Sequence, residues 1–129
     1  MSTPSDWDRL GGEAEVRGHV QAFVHRVFDD MIIGYLFQGR DPARIAQHEL
    51  EHASRHLGGP LVYAGRPIGA VHKPLRIHQG HFRRRMALLR TVLLERGVPE
   101  DVVRRWIAAD EALMGAVVVD GDCLGPIGG

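Results

Sequence analysis

His48, His52 and His56 recur at i, i+4 and i+8 within one stretch of the chain. In a helix that spacing stacks them on one face, with Ile45 and Glu49 flanking them. Two imidazoles four residues apart can chelate a metal ion, and Glu49 could add a carboxylate. No cysteine accompanies them, and spacing alone does not establish zinc. The opposite possibility is a histidine-rich rim exposed to water.

His72 sits differently. It follows Gly69-Ala70-Val71, precedes Pro74, and has Ile77 and His81-Phe82 beyond it. A lone histidine on a short segment beside an apolar helix is what an axial haem ligand requires. The imidazole must reach the iron while its surroundings stay apolar.

The chain around these residues is of ordinary globular composition. It has 129 residues, 44% hydrophobic and 25% charged, with eight histidines against four each of Phe and Met. That length suits one domain with a single core. Sixteen Lys+Arg balance sixteen Asp+Glu, and the pI is about 7.1, so charge argues for neither nucleic acid nor an anionic membrane as partner. The single Cys123 cannot form an internal disulfide. No apolar run approaches the length of a membrane span and no signal peptide is visible, so a cytoplasmic location is expected.

Glycine and proline punctuate a helical pattern. A short helix is expected over 6–10, stopped by Gly11-Gly12. The next, over 13–31, aligns Val16, Val20, Phe23 and Val27 on one face. Asp29-Asp30 sits where the helix dipole disfavours it, so a break or a tertiary partner is expected there. Residues 32–37 read as a buried corner. Asp41-Pro42 reads as a cap and first position of a helix over 42–57, ended by Gly58-Gly59-Pro60. An ordered loop over 58–68 and a short helix near 68–73 should follow. Helices over 79–96 and 100–118 complete a domain over 1–119, with 1–5 flexible and 120–129 a mobile Gly-rich tail.

Taken in order, these signals resemble a truncated haemoglobin, nearest to group I. The likeness rests on Asp8-Arg9-Leu10-Gly11-Gly12, Phe23-x-x-Arg26-Val27, Asp29-Asp30 and Leu36-Phe37, followed by Leu57-Gly58-Gly59-Pro60. It continues through Tyr63-x-Gly65-Arg66-Pro67, Val71-His72, Ile77, His81-Phe82 and Gly97-Val98-Pro99-Glu100, and so covers roughly residues 6–118. The resemblance implies an all-α fold, a two-over-two helical sandwich around one haem b (iron protoporphyrin IX). It implies binding of dioxygen, carbon monoxide or nitric oxide, with nitric oxide oxidation or peroxidase-like chemistry in some members, an unknown reductase, and a monomer or small homo-oligomer.

Carried over by residue, the resemblance places the proximal ligand at His72 and the porphyrin-packing aromatics at Phe37 and Phe23. Ile45, His48, Phe82, Tyr63 and Lys73 complete the expected haem contacts. The chain also departs from the family. Where a tyrosine usually follows the B-helix phenylalanine, this sequence has Val24, which cannot donate to bound dioxygen. The usual distal glutamine is Glu49, a donor only when protonated. Position 85, a tryptophan in other groups, is Arg85, which could pair with Glu49, a propionate or ligand, or belong to a solvated face with Arg83 and Arg84. His48 matches the position of a sixth iron ligand in cyanobacterial members, and His52 is its competitor. His19, His25, His78 and His81 read as structural.

Two rival readings keep the fold and change the function. One is a haem-based sensor domain. The other is a cofactor-free helical protein, or one binding a non-haem metal at His48, His52 and Glu49.

Overall fold

The computed structural model describes residues 3–64 and 79–114. These form α1 (Asp6–Arg9), α2 (Glu13–Phe28), a 3-10 turn (Gly34–Phe37), α3 (Pro42–Leu57), α4 (Gln79–Glu95) and α5 (Glu100–Met114). No strand occurs among the described residues. The expected short helix near 68–73, with His72 and Lys73, lies outside them, as do His78 and the tail.

Local chemistry sets the ends of α3 as the sequence leads one to expect. The Asp41 carboxylate accepts from the Ala43 amide at 3.0 Å, and Pro42 occupies the first turn. Gly58 closes the helix in the left-handed conformation, at φ +83°. At Gly59 the reason is space: a Cβ there would collide with the Trp7 ring and the Ser54 hydroxyl. The pair of glycines therefore lets buried Trp7 of α1 lie against the end of α3.

Helix α2 stops at Phe28, three residues short of the expected end. Asp30 is the cause. Its carboxylate accepts from the Ile32 and Ile33 amides, each at 3.0 Å, which folds the chain into a turn. Arg84 of α4 clasps the same carboxylate, with Nη2 2.5 Å from Oδ1. The Arg84 hydrogen bonds hold the Asp30 carboxyl down at about 2, against the cost of its burial. The corner that follows is only partly buried, contrary to expectation. Ile33 is sealed in the core, but Met31, Ile32 and Tyr35 are exposed.

The apolar faces then close on one another. Val16, Val20, Phe23 and Val27 of α2 meet Leu50, Ala53 and Leu57 of α3 and Leu89, Val92 and Leu93 of α4. Val102, Val103 and Trp106 of α5 fill the remaining side. Helix α2 packs on both α3 and α4, while α5 packs on α4 and α3. This is the two-over-two helical arrangement that the resemblance implies.

One buried histidine belongs to this frame. The Arg96 Nε–H donates to His19 Nδ1 at 2.8 Å, so the imidazole accepts there and must be neutral. Burial, reinforced by the Arg96 charge, pushes the His19 pKa below its ordinary 6.5. The unfolded chain thus binds more protons than the folded one just below pH 6.5, and stability falls as pH drops through that range. The urea midpoint is expected to decline between pH 7 and pH 5.5. His19→Gln, which keeps an acceptor for Arg96 but does not titrate, is expected to make that decline shallower.

Candidate functional site

The core contacts of Leu50, Ala53 and Leu57 fix the rotation of α3, and the adjoining stripe then carries its three imidazoles inward. His52 is buried, the His56 side chain is nearly so, and His48 is half-buried. A rim of histidines in water is therefore excluded for His52 and His56. Residues 61–64 fold back over this stripe, because the Leu61 amide donates to Ser54 Oγ at 2.9 Å and the Ala64 amide to Glu51 Oε1 at 3.0 Å. That brings Tyr63 onto the histidines. Its ring stacks on His52 at a centroid distance of 4.1 Å and meets the edge of His48 at 5.3 Å.

Glu51 sets the proton on His48. Burial opposes its charge, but the Ala64 amide, the Gln47 amide and His48 together hold its carboxyl below the usual range. An ionised carboxylate only accepts, so His48 Nδ1 is the donor across the 3.3 Å contact. His52 is different. Burial pushes its pKa down, and the Glu49 charge offsets this only in part. Its Nε2 is buried with no hydrogen-bond partner among the described residues. A neutral imidazole with an unmet nitrogen is an uncommon interior feature and a ready ligand or donor.

Arg85 occupies the junction of the four long helices. Carried by α4, it is 7% exposed. Its Nη2 donates to Glu49 Oε1 of α3 at 2.7 Å, its Nη1 donates to Asp110 of α5, and its guanidinium lies 5.0 Å from the centre of the Phe23 ring of α2. Desolvation disfavours its charge, but the Asp110 and Glu49 carboxylates outweigh that and raise its pKa. His56 Nε2 approaches Asp110 at 3.4 Å. Burial works against the Asp110 charge as well, yet Arg85 and His56 hold its carboxyl well below the ordinary range. The basic run therefore splits three ways: Arg83 is exposed, Arg84 binds Asp30, and Arg85 is a buried bridge rather than a solvated face.

Most of the other expected positions are buried or partly buried. Phe23, Val24 and Phe82 are buried, Ile45 is half-buried, and half-buried Phe37 packs on Phe28 at 5.4 Å. A cavity of about 500 Å³ between α2 and α3 reaches Val24, Phe28, Ala43 and Ala46. His81 meets Tyr35 edge-on at 6.1 Å, and His25 is an exposed partner of Asp29. His72 and Lys73 fall outside the described residues, so their expected roles remain expectations.

Two members of the site escape a reading of the sequence. Glu51 sits among the histidines without any distinctive pattern. Asp110 carries a signal: it lies seven residues after Val103 and four after Trp106, in register with the apolar stripe of α5. A lone acid there demands a buried cation. His48-Glu49-Leu50-Glu51-His52 also spells the H-E-x-x-H pattern of zinc metalloproteases. The structure does not support that chemistry. Arg85 takes the Glu49 carboxylate, and no group of three or more potential ligands among the described residues could hold a metal ion. The non-haem metal at His48, His52 and Glu49 is corrected on the same ground.

Comparison with known proteins bears on the whole arrangement. Residues 5–117 match the bacterial-like globin family. The chain belongs to that family. This globin is 31% identical over 105 residues to the group 1 truncated hemoglobin GlbN of Mycolicibacterium paratuberculosis, covering 81% of this chain and 77% of that one. It is 33% identical over 101 residues to GlbN of Synechocystis, covering 75% and 82%. Its backbone follows the truncated hemoglobin of Tetrahymena pyriformis in the Fe(III) form, with a TM-score of 0.82, 23% identity, and coverage of 89% of this chain and 98% of that one. The truncated globin fold is thereby established, and membership implies a haem-binding protein. The residues present suit such a group: Phe23, Val24 and Phe82 are buried and apolar, and two imidazoles meet at Tyr63, one with an unmet Nε2 among the described residues. No helix among the described residues is long and apolar enough to cross a membrane.

Removing one carboxylate from the Arg85 bridge leaves a buried charge under-compensated. Asp110→Ala is expected to lower the unfolding free energy by about 3–5 kcal/mol in urea titrations. A change within experimental scatter would show that the bridge does not constrain the fold.

Proposed function

We propose that this globin binds haem b through His72 and binds a diatomic gas on the opposite side, where His48, Glu49, His52 and Val24 stand. The observation that carries this reading is the pairing of His48 Nδ1 with the Glu51 carboxylate. Ligating histidines commonly donate their second nitrogen to a carboxylate, which fixes ring orientation and frees the coordinating lone pair. Glu51 serves His48 in this way at 3.3 Å.

Bound haem supplies an iron that takes a diatomic ligand and changes oxidation state. The chain supplies everything around it. Phe23, Phe37 and Phe82 pack the ring and keep water out, with Ile45, Tyr63 and Lys73 at its margins. His72 and His48 would be the residues that hold the iron, and Glu51 keeps the His48 imidazole oriented for that role. Val24, where the family usually has a tyrosine, removes the hydroxyl that would hold dioxygen. Competitive binding with facile redox change therefore fits this site better than oxygen storage.

Absorption spectra of the ferrous protein test the assignment. Wild type is expected to show a sharp, split pair of visible bands, and His48→Leu a single broad band. His72→Ala is expected to lose stable haem altogether. A fully retained, normally ligated Soret band in His72→Ala would overturn the proximal assignment, and an unchanged split pair in His48→Leu would overturn the distal one.

A further inference from the structure

The Arg85 bridge decides which ligands the site can favour. A bound dioxygen is held by a hydrogen-bond donor, and the position that would carry a hydroxyl is Val24, whose side chain is buried and apolar. The polar group next in line is Glu49. Its Oε1 accepts from Arg85 Nη2 at 2.7 Å, and Arg85 is anchored from behind by Asp110. The guanidinium also lies over the Phe23 ring, 5.0 Å from its centre. Two of its nitrogens are thus committed to carboxylates, and Glu49 is presented as a carboxylate with Oε2 left over. A carboxylate in this state accepts hydrogen bonds and offers none.

The geometry points to a distal site that selects neutral ligands carrying their own proton, of the hydrogen sulfide and hydrogen peroxide class, over acceptor ligands such as dioxygen and azide. This inference rests on the haem reading above and specifies its ligand class. The ligand's O–H or S–H donates to Glu49 Oε2. An acceptor ligand instead faces a lone pair and a negative charge. Asp110 acts as a positioning residue, since it touches no ligand and works by holding Arg85 against Glu49.

Ligand-affinity ratios test this, because competition from His48 cancels within one oxidation state. In the ferric protein the pair is hydrogen sulfide against azide at one fixed pH. In the ferrous protein it is dioxygen against carbon monoxide, both neutral. Glu49→Gln places an N–H donor where only an acceptor stood. It is expected to shift the first ratio toward azide and the second toward dioxygen, each by about tenfold or more. Asp110→Asn loosens Arg85 and frees one of its N–H groups, so it is expected to shift both ratios the same way. It serves also if Glu49→Gln fails to take up haem. Ratios unmoved in both variants, or moved toward hydrogen sulfide, overturn the proposal. Wild-type protein that takes up no haem would instead defeat the underlying haem assignment.

Discussion

A guanidinium cannot leave water alone, and Arg85 leaves water at the point where α2, α3, α4 and α5 converge. Its charge survives there only because Glu49 and Asp110 face it from two different helices. Such a bridge is a poor source of net stability, since desolvating three ions costs about as much as their attraction returns. Its effect is on arrangement. Sliding α3 or α5 by a turn would strand a charge in the core, so the helices can meet in only one register. That register places His48 and His52 together beneath Tyr63, with Glu49 held by Arg85. The apolar contacts would tolerate several alignments of these helices, but the ion bridge tolerates one.

The imidazoles show how the same side chain acquires different roles from its surroundings. His19 accepts from Arg96 and is locked as a neutral strut between α2 and the end of α4. His48 is oriented by the Glu51 carboxylate, which meets its Nδ1. His52 is neutral because it is buried, and its Nε2 is unmet among the described residues. His25 stands in solvent beside Asp29. The abundance of histidine in this chain is therefore a mixture of framework and site. Burial and the nearest carboxylate or cation assign each one.

Much of the fold was legible because its signals are local. Asp41-Pro42 and Gly58-Gly59 bracket α3 through capping geometry that involves neighbours in sequence. The periodic apolar faces of α2 and α4 likewise declare themselves. What was not legible depends on partners far along the chain. The end of α2 is set by Asp30, whose partner Arg84 lies 54 residues away. The apolar string at 31–37 suggests burial, yet the turn after Asp30 sends Met31, Ile32 and Tyr35 outward while Ile33 is sealed in the core. At the site, the pairing of Arg85 with Glu49 was one of several options open to the sequence. Only the arrival of Asp110 from α5 selects it.

The central claim is that this chain's helices enclose a haem site, and titration of the purified apoprotein with haemin tests it most directly. The residues around Phe23, His48 and His52, together with His72, predict saturable uptake at one haem per chain, with a Soret band of a nitrogen-ligated iron. A protein that stays colourless, or takes up haemin without saturation, would contradict it.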